Sequence, residues 1–419
     1  MIIWAVINKH KRMPAIPDTV KMQPAKSGNY LLPFILITSL FFLWGLAYGL
    51  LDVLNKHFQE TLSIDKARSS FLQMAYFGAY FLIALPAGFF MNRYGYKKGI
   101  ITGLLLYATG AFLFYPAAQV SRFDFFLVAL FILASGLAFL ETAANPYVTV
   151  LGDAKTSEFR LNLSQSFNGM GSFIGPIIAA KLFFNADQTQ SSLSSVQWVY
   201  VVIGVIVLLI ALLFGKTALP EIRESDLVSD AIQDTRPLFQ YKNFTGAVVA
   251  QFFYVGAQVC VAAFFINYCT ERGTGLTNAD ASYLLSVSLL LFTIGRFAGT
   301  ALMKKIAPQA LLCLYSVINI ILCLLIAFIN AGFSVYALMA VFFFESVMFP
   351  TIFALGVKDL GHHTKRGSSF IIMTIAGGAF MPYLMGQLAE KYTTSLAYII
   401  PALCFIVTAW YGYKGYKTK

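Results

Sequence analysis

Four ionisable side chains, Asp52, Glu141, Arg296 and Glu345, stand inside long runs of apolar residues. A charge at the middle of a spanning helix costs about 2.5–3.5 kcal/mol on insertion scales, so four left uncompensated would cost on the order of 10 kcal/mol. A partner, a water-filled cavity or protonation of the carboxyls must offset that cost. Asp52 follows Trp44 and Tyr48 at i, i+4 and i+8, on one helix face. A carboxylate accepts hydrogen bonds from hydroxyls, and aromatic rings cover the apolar face of a pyranose, so this face suits a sugar. The competing reading makes the rings packing residues and puts Asp52 at the exit to water. Glu141 lies in Leu-Glu-Thr-Ala-Ala-Asn-Pro, with Asn145 one turn on and Pro146 freeing a backbone carbonyl. A carboxyl withdrawn from water there is suited to exchanging a proton. The alternative is a protonated structural glutamate bonded to a neighbour.

Asn162, Gln165 and Asn168 recur at i, i+3 and i+6 and make a polar face, with Gly169 and Gly171 letting another helix approach. Amides offer donors and acceptors together, which matches sugar hydroxyls. Interhelical hydrogen bonding is their other use. Gln258 and Asn267 on a later run are of the same kind. Arg296 either snorkels to the interface or holds a closure of the second half of the chain. Glu345 can face the same cavity as Glu141, pair with Arg296, or sit nearer the outside. Between two early runs lies Gly88-x-x-x-Asn92-Arg93-x-Gly95-x-Lys97-Lys98. Its glycines permit close helix contact, and its basic cluster can bond helix C-terminal carbonyls, a conformational latch between the halves. Plain topology charge explains the lysines but not the glycine spacing.

The elements that must hold these residues follow from composition. Of 419 residues, 58% are hydrophobic and only 12% charged, with a mean hydropathy of +0.71. A soluble domain carries about 25% charged residues, so the bilayer is the natural solvent here. Runs long enough to span occur near 30–57, 67–92, 98–119, 123–152, 157–184, 196–215, 241–270, 278–303, 309–331, 333–358, 366–390 and 395–413. The expected fold is therefore an all-α polytopic membrane protein of twelve transmembrane helices. Residues 1–29 read as a basic cytoplasmic tail, 30–215 as a six-helix bundle, 216–240 as a polar linker, 241–414 as a second bundle and 415–419 as a tail. The opening MIIWAVI is too short for a signal peptide, and its charges follow it.

The halves repeat. Gly88-x-x-x-Asn92-Arg93 recurs as Gly299-x-x-x-Met303-Lys304. Glu141, Pro146, Leu151 and Gly152 recur as Glu345, Pro350, Leu355 and Gly356, and Arg160, Gly171 and Pro176 recur as Arg366, Gly377 and Pro382. Six spans per half keep both copies in the same orientation, so the bundles are related by a pseudo-two-fold axis along the membrane normal, around a midplane site. A net charge of +11 raises nucleic acid as a partner, but the basic residues are strung between apolar runs as topology signals. Arg93, Lys97, Lys98, Lys304, Lys305, Lys358, Lys365, Arg366, Lys414, Lys417 and Lys419 fall on the side of the N-terminus, far outnumbering Lys56, Lys66, Arg68, Arg122, Arg272 and Lys391 opposite. Both termini are thus expected in the cytoplasm. The five cysteines lack paired spacing, and none of the four histidines is mid-membrane, so no metal, cofactor or disulfide framework is expected. Nor is there a nucleophile–base pair or an extramembrane domain to support an enzyme.

The glycine–basic element resembles the signature of the major facilitator superfamily, which usually has Asp where this chain has Asn92. Glu141-Thr-Ala-Ala-Asn-Pro, Arg160-Leu-Asn-Leu, Gln165-Ser-Phe-Asn168, Tyr254-Val-Gly-Ala-Gln258, Phe349-Pro-Thr-Ile-Phe353 and Gly367-Ser-Ser-Phe-Ile371 together resemble its fucose permease branch. The resemblance implies sugar–proton symport in a bacterial inner membrane, with L-fucose the leading substrate and a monomer the working unit. It matches the family's membrane carboxylates to Asp52 and Glu141, and its sugar-contacting amides to Gln165 and Asn168. Tyr48, Gly49 and Leu51 replace asparagines expected before Asp52, and Glu345 stands where a neutral residue is expected. Related branches carry glucose, galactose or N-acetylglucosamine.

Overall fold

In a bilayer each backbone polar group must be bonded within its own segment, so apolar runs of this length close as helices. The computed structural model describes residues 31–151, 157–184, 193–217, 237–271, 275–303, 305–329, 333–358, 360 and 364–417. In the first half the spans are α1 (Leu31–Thr61), α2 (Phe71–Tyr94), α3 (Tyr96–Val120), α4 (Phe123–Val150), α5 (Ser157–Phe183) and α6 (Leu193–Lys216). The second half holds α7 (Lys242–Ala263, continued by Phe265–Glu271), α8 (Asn278–Leu302) and α9 (Pro308–Phe328). It continues with α10 (Ser334–Glu345, then Met348–Val357), α11 (Thr364–Met373, then Gly377–Lys391) and α12 (Ile399–Trp410). Eleven of these are long and apolar enough to span. The twelfth is α5, whose amide face lowers its hydropathy. The tail 1–29 and all but the ends of the linker 216–240 lie outside the described residues.

The repeat seen in the sequence is a repeat of packing. α1 packs on α5, α2 on α4, and α3 on both α4 and α6; α7 packs on α11, α8 on α10, and α9 on both α10 and α12. The contacts between halves obey the same rule, α5 against α8 and α11 against α2. The glycines show it at atomic scale. A Cβ on Gly171 would stand 2.2 Å from the Phe42 carbonyl oxygen, and one on Gly377 would stand 1.8 Å from that of Phe252. These are backbone-to-backbone contacts of α5 on α1 and of α11 on α7, where a side chain cannot give way. Gly171→Val is therefore expected to lose at least about 1–3 kcal/mol of stability. Gly88→Ala, with nothing within 4 Å of its Cβ position, is expected to melt like the parent. Thermal melts in detergent check both, and equal losses would contradict the packing.

Besides short breaks near the starts of two spans, at Ser70 and Tyr398, three spans are broken well inside runs that the sequence pattern carried straight through. α7 breaks at Phe264, α10 at Ser346 and Val347, and α11 passes through a 3-10 turn at Thr374–Ala376. Pro350 explains the break in α10. It has no N–H for the Ser346 carbonyl four residues back, and the Arg296 Nε donates to that oxygen instead, at 3.2 Å. Two faces of the molecule serve below: the upper face, where α1 ends, and the lower face, where α1 begins.

Candidate functional site

Trp44, Tyr48 and Asp52 do share a face of α1, but eight residues rise about 12 Å along a helix, and the face divides between two places. Trp44 lines a small pocket between α1 and α4 with Phe41, Glu141 and Asn145. The Asn145 Nδ2 donates to the Glu141 carbonyl at 3.2 Å, and the Gln165 Nε2 donates to the Asn145 Oδ1 at 3.3 Å. A ring, a carboxyl and two amides from α1, α4 and α5 thus meet. This set can cover an apolar sugar face, bond hydroxyls and hold a proton.

Tyr48 and Asp52 lie deeper, against the second half. Asp52 is 1% exposed and Glu345 is fully buried, and neither carboxyl has a hydrogen-bond partner among the described residues. The two carboxyls lie within electrostatic range of each other across the bundle interface. Tyr48 lies within range of both, and of Tyr76 and Tyr254. Glu345 and Arg296 form no ion pair: the guanidinium bonds the Ser346 carbonyl and sits 4.9 Å from the Phe292 ring centroid. Arg296 thus braces α8 against α10 inside the second half, where the sequence left snorkelling or closure open.

The remaining candidates separate. Asn168 donates to the Phe41 carbonyl at 3.2 Å, an interhelical bond of α5 to α1. Gln258 is half-buried on α7, one turn beyond Tyr254. The side chain of Asn162 lies outside the described residues. Asn267 is drawn away from the pocket into the upper face, donating to the Gln59 Oε1 at 2.7 Å. In the glycine–basic element, Gly95 (φ +85°) turns the chain from α2 to α3 in a backbone region that favours glycine. Lys97 donates to the carbonyls of Gly215 and Thr217 at 2.9 and 2.8 Å, the C-terminal end of α6. Arg93 and Lys98 flank the Tyr94 ring. These contacts stay inside the first half, and Gly88 meets open space instead of a neighbouring helix.

Several central residues escaped the sequence reading. Gln73 and Gln251 are fully buried with no partner among the described residues for either amide. Tyr76 lies within electrostatic range of Asp52 and Glu141. The signal was present: Gln73, Tyr76 and Tyr80 on α2, and Gln251, Tyr254 and Gln258 on α7, each follow i, i+3 and i+7 on one helix face.

Above this site the halves are sealed together. Asn55, one turn beyond Asp52, donates to the Ala263 carbonyl at 2.9 Å, an acceptor at the break in α7. Lys66 pairs with Glu271 at 2.9 Å, Asn278 bonds Glu60 at 2.7 Å, and Ser70 donates to the Pro382 carbonyl at 3.0 Å. Phe71 stacks on Tyr383. Because the Lys66–Glu271 pair is partly exposed, it contributes at most about 1 kcal/mol. Glu271→Gln is expected to raise the maleimide reactivity of a cysteine at the buried position Ser70 by roughly two- to fivefold. No increase would take that pair out of the closure.

A profile of the Major Facilitator Superfamily matches residues 34–381. The chain is 42% identical to the L-fucose-proton symporter of Escherichia coli K12, covering 93% of this chain and 94% of that one. It is 35% identical to the glucose/galactose transporter of Brucella abortus, covering 94% and 97%. The crystal structure of the transporter FucP in the outward conformation matches with a TM-score of 0.69 at 41% identity, covering 92% of this chain and 99% of that one. Two pseudo-symmetric six-helix halves around buried carboxyls, with the likeness to sugar symporters and transporters over nearly the whole chain, identify a transporter and not an enzyme: the chain belongs to the Major Facilitator Superfamily, in the fucose permease branch.

Proposed function

We propose that this protein imports a monosaccharide, L-fucose first, together with a proton, across a bacterial inner membrane, as a monomer with both termini in the cytoplasm. The observation that carries the reading is the meeting of Trp44, Glu141 and Asn145 around one pocket, with Gln165 bonded to Asn145 and Asp52 buried on the same face of α1 as Trp44. The excess of Lys and Arg in the loops of the lower face supports a cytoplasmic assignment for that side. The upper face is then the outside, and the seal from Asn55 to Ser70 belongs to a state closed to the outside. Sugar and proton enter when that seal opens. Asp52 and Glu141 hold them near the midplane, and the halves rock about the site. Neutralising a carboxyl removes its desolvation cost and lets the loaded carrier reorient. Each proton moving inward gains about 2.3 kcal/mol per 100 mV of membrane potential.

A second reading, glucose or galactose as substrate, is favoured by Tyr48, Gly49 and Leu51 ahead of Asp52, and by the likeness to the Brucella transporter. Proteoliposome uptake of L-fucose, galactose, glucose and N-acetylglucosamine, with and without an inward proton gradient, tests both. L-fucose uptake stimulated by the gradient is expected. Preference for glucose or galactose supports the second reading, and uptake that ignores the gradient points to a passive facilitator.

A further inference from the structure

Glu345 is held in place by its backbone. Its carbonyl accepts the Tyr254 hydroxyl at 2.9 Å, from α7, and the next carbonyl, freed by Pro350, accepts the Arg296 Nε, from α8. Its side chain is fully buried within electrostatic range of Asp52 of the other half, and both carboxyls lack hydrogen-bond partners among the described residues. The titratable and charged groups around Glu345 do not neutralise the pair. Tyr48 and Asp52 on α1, Tyr254 on α7 and Cys323 on α9 lie within electrostatic range of it, and Cys404 on α12 within range of Cys323. Arg296 on α8 is engaged with a carbonyl and a ring, and pairs with neither carboxyl. Two carboxylates in a dry interface repel, and burial magnifies the repulsion.

We propose that Glu345 is a third coupling carboxyl, forming with Asp52 a pair across the two halves that lets the outside close only when the pair holds at least one proton. The proposal rests on the reading of this chain as a proton symporter, and adds to it a residue for which family resemblance expects a neutral side chain. The empty carrier with both carboxyls ionised stays open to the outside. Binding of a proton from outside removes one charge, and the seal from Asn55 to Ser70 can form. Glu345 would thus tie proton binding to gate closure, while Glu141, its counterpart in the repeat, remains at the sugar pocket.

The test follows the gate without sugar. A cysteine at Ser70, in the full chain in proteoliposomes, is labelled from outside with a membrane-impermeant maleimide between pH 5.5 and 8.5. The rate is corrected for the pH dependence of the reagent on a denatured control and for labelling of the parent that keeps Ser70. Reactivity in the Ser70→Cys protein is expected to rise with pH as the pair loses its protons. In Glu345→Gln the pair can carry one charge at most, which the closed state tolerates, so the rise of reactivity with pH is expected to be lost. Glu345→Asp is expected to keep the pH-dependent opening. Asp52→Asn, from the other side of the pair, is expected to lose the rise in the same way, and carries the test if Glu345→Gln fails to fold. A rise of reactivity with pH like the parent's in a folded Glu345→Gln or Asp52→Asn protein would overturn the proposal, as would loss of pH-dependent opening in Glu345→Asp. Because no sugar is present, this result stands apart from the uptake panel: failure there removes the transport reading, and failure here removes only the role of Glu345.

Discussion

Glu141→Gln is expected to abolish uphill sugar uptake while sugar exchange across the membrane continues. Glutamine keeps the size and polarity of the side chain and still offers an acceptor to the pocket beside Trp44 and Asn145. It cannot take up and release a proton, so the carrier behaves as though permanently loaded. A gradient of one pH unit supports about tenfold accumulation when one proton moves with each sugar. In the variant the accumulation ratio should fall to about one, with counterflow of labelled sugar retained. Uptake into proteoliposomes under an imposed gradient measures the first quantity, and equilibrium exchange the second. Accumulation at the parent's level would remove Glu141 from the proton path.

Asp52→Asn is the second large effect. Asp52 has no hydrogen-bond partner among the described residues, so a buried acceptor is held in reserve for what enters when the seal opens. Hydrogen bonds to a charged group contribute about 1.5–3 kcal/mol. Losing the charge should therefore weaken sugar binding by roughly tenfold to a hundredfold. The half-saturation concentration in counterflow reads this directly. A value within twofold of the parent would mean that Asp52 makes no contact with sugar, leaving its part to the pairing with Glu345.

The twelve spans were legible because the bilayer demands long apolar runs, and the repeat was legible because glycines, prolines and glutamates recur in the same order. Gly171 and Gly377 show how far that reaches: equivalent positions in the sequence make equivalent backbone contacts in space. What escaped lies between elements. The seal is built from Gln59, Lys66, Glu271 and Asn278, polar residues near helix ends that read as ordinary surface until the halves meet. The break in α10 was foreshadowed by Pro350, but the donor that takes the freed carbonyl, Arg296, sits on another helix. Asn168 fits sugar hydroxyls and an interhelical bond equally well by type, and only the packing of α5 on α1 shows the bond it makes. Trp44 and Asp52 share a face by spacing, yet their separation along the axis puts them in different surroundings. Glu345 is the plainest case. Its kinship with Glu141 was visible in the repeat, whereas its position opposite Asp52 depends on how the two halves close.

The central claim is that sugar and proton cross together, and the pH of the medium tests it most directly. Adding L-fucose to an anaerobic, weakly buffered suspension of cells making this protein should make the medium alkaline within seconds. Cells lacking the protein should give no signal, and Glu141→Gln cells should give none while still exchanging sugar. Uptake of L-fucose by the parent with no alkalinisation would contradict the account and leave a carrier in which the buried carboxyls bind sugar without moving protons.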